Sequence, residues 1–115
     1  MSYAYVPVAN ARGETTLRPH LSLVLTHRSR SIETIGLLDT GADVNVLPYH
    51  VGLALGAIWA DLTTSLQLSG NLAGEEARGL LLTATIGSFA PTRLVFAWTR
   101  AEHVPLILGQ INFFI

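Results

Sequence analysis

Leu37-Leu38-Asp39-Thr40-Gly41-Ala42-Asp43 runs two aliphatic residues straight into an acid, then adds a hydroxyl residue, a glycine and a second acid. An apolar run that ends on a carboxylate is uncommon, because burying an ionised acid is costly unless it is paired. The glycine two residues after Asp39 lets the backbone turn tightly or lets another chain approach closely. The pattern describes a carboxylate carried on a strand end and aimed out of a tight loop. An ordinary turn aspartate is the plain alternative at Asp39, and more so at Asp43, since acids in turns are common.

Outward from this loop the chain reads as short strands. Ile32 to Asp39 becomes continuously apolar at its end, as a strand buried on both faces does. Before it, Thr16 to Thr26 puts Leu17, Leu21, Leu23 and Leu25 on one parity, with a polar turn from His27 to Ser31. Ala4 to Ala9 carries Pro7, which places it at a sheet edge, and Asn10 to Glu14 reads as a turn. After the loop, Val44 to Leu47 reads as a short buried strand. Pro48 opens a short helix over Tyr49 to Leu55, closed by Gly56. Leu62 to Leu68 and Glu75 to Ile86 alternate, so Leu66 to Leu82 reads as a long hairpin with a tip at Ser69 to Gly74. Gly87-Ser88 is a turn, Phe89 to Trp98 another strand, and Val104 to Leu108 a last one closed by Gly109. Gln110 to Ile115 has the look of a helix start. Many short strands and little helix make the chain all-β, a barrel or a sandwich.

The chain has 115 residues, the size of a single domain over 1–115. Only 13% are charged, against an average of roughly 25%. So few charges point to apolar surface hidden in an oligomer interface. A net charge of −1 is no footprint for nucleic acid or an anionic membrane. With no cysteine there is no disulfide framework, thiol nucleophile or thiolate metal site, which fits a reducing, cytoplasmic compartment. His20, His27, His50 and His103 have no ligand-like spacing, so no metal site is expected. Met1 to Tyr5 has neither the basic nor the apolar region of a leader, and Val44 to Ala60, with Pro48 and three polar side chains, makes a poor membrane span. Trp59 and Trp98 are read as core or interface.

The string Leu37 to Asp43, followed by Val44 and Val46-Leu47, resembles the active-site loop of single-domain, retroviral-type (retropepsin-like) aspartic peptidases. Leu106-Ile107-Leu108-Gly109, followed by Phe113-Phe114, stands where that family carries an apolar-apolar-Gly segment beside the strand after the acid loop. The order of acid loop, glycine-rich hairpin and late glycine holds from about Leu21 to Phe114. The resemblance implies an all-β acid-protease barrel with one short helix, working as a two-fold dimer on a peptide or protein substrate, with no cofactor. Metal-free hydrolysis without a nucleophilic side chain needs a base to activate water and an acid for the leaving group. Two carboxylates sharing one proton supply both, because close like charges cannot both ionise. The other aspartates are Asp43 and Asp61, and neither lies in a second Asp-Thr/Ser-Gly. The resemblance therefore implies an obligate homodimer in which Asp39 of a second copy, across a two-fold axis, supplies the second catalytic carboxylate.

By the same resemblance Asp39 is the catalytic carboxylate, and Thr40 hydrogen-bonds across the dimer axis. Gly41 admits the substrate backbone, and Ala42 and Asp43 contact it. Gly70, Asn71, Leu72 and Ala73 belong to a flap that closes over substrate. Two departures stand out. Family members often carry Arg after the late glycine, where this chain has Gln110, so Asp43 needs another partner or stays solvated. The family chain also runs on into a C-terminal interface strand. Here Phe113-Phe114-Ile115 ends the chain, which implies a shortened chain or an interface carried more by the strand from Tyr3 to Val8. The alternative reading is a non-catalytic module of the same fold that binds peptides or dimerises.

Overall fold

The computed structural model describes residues 3–9, 15–39, 41–68, 72–101 and 103–109. The strands are β1 (Tyr3–Ala9), β2 (Thr15–His27), β3 (Arg30–Leu38), β4 (Asn45–Leu47), β5 (Ser65–Leu66), β6 (Ala77–Thr85), β7 (Thr92–Thr99) and β8 (Ile107–Leu108). One helix, α1 (Tyr49–Ala54), follows β4, and a 3-10 turn spans Trp59–Asp61. The segments 10–14, 69–71 and 110–115, and with them the expected first turn, the first half of the expected flap tip and the C-terminal helix start, lie outside the described residues.

The strands form one sheet in the order β1-β2-β3-β8-β4-β7-β6-β5, and β2 also pairs with β6. That extra pairing closes β2, β3, β8, β4, β7 and β6 into a barrel, which removes most free edges. The length of β2 makes this possible. Residues 15–21 of β2 pair with β1, and Val24 to Thr26 pair with Thr85 to Thr83 of β6. As its proline requires, β1 is an edge strand.

Alternation in sequence translates directly into the core. Leu21, Leu23 and Leu25 of β2, Leu80 and Leu82 of β6, and Leu94, Phe96 and Trp98 of β7 are buried together with Val51 and Leu55 of the helix and Leu106 and Leu108. The opposite face of the β4–β7–β6 region holds a smaller cluster of Val46, Leu68, Ala77 and Ala97, against which Val44, Leu66, Leu72 and Ile107 pack. Helix α1 starts after Pro48 and stops where Gly56 takes a φ of 76°, a left-handed turn that glycine adopts without penalty.

Three strands are shorter than alternation suggests. Leu62 to Leu68 contributes only Ser65–Leu66 to the ladder, because Arg78 Nη1 donates to the carbonyls of Trp59 (2.8 Å) and Leu62 (3.0 Å). The expected long hairpin from Leu66 to Leu82 is thus a two-pair ladder, Ser65 to Arg78 and Leu66 to Ala77. Pro91, which has no N–H, delays β7 to Thr92. His103 (φ 59°) and Pro105 delay β8 to Ile107.

The aromatic pair behaves as core, with different chemistry at each ring. Trp98 is fully buried, stacks on Tyr49 at 5.4 Å and donates Nε1–H to the Tyr49 carbonyl at 3.1 Å. Trp59 meets Trp98 edge-on at 5.2 Å and carries Arg78 and Arg100 at 4.8 and 5.0 Å from its ring centre. Its buried Nε1–H has no acceptor among the described residues. Removing an unsatisfied donor costs little, whereas removing a satisfied one strands its partner. Trp98→Phe is therefore expected to lower stability by about 2–3 kcal/mol and Trp59→Phe by about 1 kcal/mol or less. Urea unfolding of the two variants side by side checks this, and equal losses would contradict it.

Candidate active site

Asp39 sits immediately beyond the last residue of β3, and β8 holds that end of the strand in place. β8 runs parallel to β3, with Leu37 opposite Ile107 and Leu38 opposite Leu108. Leu37 N–H donates to Leu106 O (2.8 Å) and Asp39 N–H to Leu108 O (3.1 Å). On its other side β8 runs antiparallel to β4 through Val46 and Ile107. The loop from Asp39 to Val44 thus arches from β3 to β4 over the end of a strand that arrives more than sixty positions later. The late apolar-apolar-Gly segment lies beside the strand after the acid loop, as the resemblance implied.

The arch is pinned from within. Gly41 N–H donates to Asp39 Oδ1 at 3.0 Å, and Ala42 N–H donates to Asp39 O at 3.0 Å. The first bond fixes the carboxylate rotamer, and the second closes the turn. Asp39 is half-buried, whereas Gly41 and Asp43 are exposed and Ala42 is half-buried. Among the described residues no ion pair reaches Asp43. Gln110 lies outside the described residues, as does Thr40.

Gly109 is the contact on which the arch rests. A Cβ there would stand 2.6 Å from Ala42 O, 2.7 Å from Ala42 Cβ and 2.8 Å from Val44 O. Only a residue without a side chain lets the two backbones pass so closely. Gly109 N–H donates to Asn45 Oδ1 at 3.0 Å, and Asn45 Nδ2 donates to Val95 O at 3.2 Å. Asn45 is 2% exposed, so this one amide ties the exit of the acid loop to β7 and to the late glycine inside the protein. Sequence reading passed over it. The available signal was a polar residue inside the apolar run Val44 to Leu47. Asn45→Ala leaves a buried N–H without its acceptor and is expected to cost about 2–3 kcal/mol. Chemical denaturation measures this, and a loss below about 0.5 kcal/mol, typical of a surface substitution, would sink the clamp.

Beyond Leu68, the loop between β5 and β6 is described from Leu72 onward. Leu72 is half-buried and packs on the smaller cluster, as Val44 and Ile107 do. Glu75 N–H donates to Leu72 O at 3.0 Å, and Gly74 has a φ of 89°. Ala73 is exposed; Gly70 and Asn71 lie outside the described residues. Arg78 braces the base of the loop through its two carbonyl bonds. Its 3.6 Å contact with Glu76 is half-exposed and adds little. A cavity of about 840 Å³ lies elsewhere, among Ser22, Val24, Glu33, Ile35 and Thr85, and does not include Asp39.

No protein-family model matches the sequence, and no curated protein matches it. The crystal structure of a retropepsin-like aspartic protease from Rickettsia conorii does, with a TM-score of 0.63 and 16% sequence identity, over 95% of this chain and 77% of that one. The fold is retropepsin-like. In this retropepsin-like barrel Asp39, Gly41, Ala42 and Asp43 share one loop at the end of β3, and Leu72 packs on the cluster of Val46, Leu68, Ala77 and Ala97. Among the described residues no cluster of three or more His, Cys, Asp or Glu could hold a metal ion, and no helix is long and apolar enough to cross a membrane.

Proposed function

We propose that the chain, as one domain over 1–115, is an aspartic endopeptidase whose active site forms between two copies, each supplying Asp39. The observation that carries this reading is the carboxylate itself, held at a strand end with Oδ1 bound to Gly41 N–H and the loop locked under Gly109. A pure binding module has no need of an acid aimed out of a braced arch. The likeness to a solved aspartic protease supports the same reading.

In this mechanism one Asp39 is ionised and the other protonated. The ionised carboxylate takes a proton from water as its oxygen attacks the scissile carbonyl carbon, and the protonated one donates to the carbonyl oxygen. The tetrahedral intermediate collapses when a proton passes to the amide nitrogen and the C–N bond breaks. Thr40 would brace the two loops across the axis. Gly41, Ala42 and Asp43 would receive the substrate backbone, and the loop bearing Gly70, Asn71, Leu72 and Ala73 would exclude water.

The test is cleavage of a mixed peptide pool from acid to neutral pH, with and without a pepstatin-type inhibitor, over a range of protein concentration. A shared site predicts specific activity that falls on dilution and a pH profile that declines on both sides. Two ionised carboxylates leave no acid, and two protonated ones leave no base. Activity strictly proportional to chain concentration down to the lowest measurable level, with a monomer in sedimentation, would overturn the shared site.

A further inference from the structure

A second cavity adjoins the acid loop without containing Asp39. Its volume is about 300 Å³, and its walls include Asp43, Val44, Leu66, Arg93, Val95 and Ala97. Its position follows from register. Asn45 of β4 pairs with Phe96 of β7 in parallel, so Asp43, two positions earlier, and Arg93, three positions earlier, flank the entry to the same pair of strands. Both are exposed, and among the described residues neither takes part in an ion pair. Apart from the buried amide of Asn45, the rest of the wall is aliphatic: Val44, Leu66, Leu94, Val95 and Ala97. Val95 is 56% exposed, and its cross-strand partner Leu81, 49% exposed, continues the apolar strip beside it.

We infer that this cavity is a side-chain subsite that selects an acidic residue of the peptide, with Arg93 as the residue that reads the charge. The inference rests on the endopeptidase reading above. Asp43, on the loop, is assigned to the substrate backbone, whose N–H groups satisfy a carboxylate. The guanidinium is then the uncommitted charge in the cavity. Its planar fork matches a carboxylate in two parallel hydrogen bonds, and the aliphatic wall shields the pair from water more than an open surface does. A glutamate fits this lining better than an aspartate, since its two methylenes can lie along Val95 and Leu66 while the carboxylate reaches Arg93.

The experiment uses a peptide series in which each position around the cleaved bond is set in turn to Glu, Gln or Lys. Cleavage is read with the unaltered protein, and binding is read by fluorescence anisotropy with Asp39→Asn. At one position Glu is expected to be preferred over Gln by about five- to tenfold in KM and in Kd. In Arg93→Gln that ratio falls to about one, and in Arg93→Glu the order reverses in favour of Lys. Peptides that are cleaved or bound with no charge preference at any position overturn the subsite, as does a preference that survives in Arg93→Glu. Failure of every peptide to bind overturns it too. Binding that shows the Arg93-dependent preference, without any cleavage, leaves the subsite standing and removes the endopeptidase reading instead.

Discussion

Asp39→Asn is expected to abolish peptide cleavage, by roughly 10²–10⁴-fold or to the detection limit, while leaving the fold and its unfolding midpoint nearly unchanged. The substitution keeps the shape and the Oδ1 acceptor, so Gly41 N–H retains its 3.0 Å partner and the arch keeps its closure. What it removes is the ability to hold or release a proton. With Asn in both copies there is neither a base for the water nor an acid for the leaving nitrogen. The comparison with stability is what gives the experiment force. A loss of activity together with a large loss of stability would mean that Asp39 works mainly as a turn residue. Full activity in Asp39→Asn would end the aspartic peptidase reading outright.

Gly109→Ala is expected to cost about 3 kcal/mol and to reduce cleavage far more than that loss of folded protein explains. The added methyl meets two backbone carbonyl oxygens and a Cβ, all closer than 3.0 Å, and none of these is the far end of a flexible side chain. Relief must come from moving either β8 or the loop from Ala42 to Val44. Moving β8 breaks the Gly109 N–H bond to Asn45 and loosens the register that holds Asp39 N–H on Leu108 O. Moving the loop displaces the segment that carries the carboxylate. Denaturant unfolding and cleavage measured at a temperature where the variant is fully folded separate the two effects. A variant as stable and as active as the unaltered protein would show that Gly109 does not set the arch.

Much of this was legible from local chemistry. The leucines of β2 face the core because a strand alternates its side chains, whatever its neighbours are. Pro7 marks an edge, Gly56 ends a helix, and Trp59 and Trp98 are too large and apolar to stay outside. The Asp39 loop is readable for the same reason, since its features lie within seven consecutive residues. Strand lengths were less legible. The reading of Leu62 to Leu68 as a strand holds only at Ser65–Leu66, because the Arg78 guanidinium takes carbonyls at Trp59 and Leu62, and nothing local announces a donor sixteen to nineteen positions away.

By itself the sequence determined an all-β chain, one short helix, a carboxylate on a tight loop and a late glycine of matching type. Alternation names the face a residue takes, not the strand it lies beside. Tertiary structure alone decided that β8 runs parallel to β3, that β2 closes the barrel onto β6, and that Asn45 joins the loop, the late glycine and β7 in one buried amide. It also set Arg93 beside Asp43 around one cavity. Each of these pairs groups far apart in the chain, and such a pairing becomes favourable only when the loops between them close and the whole sheet forms together.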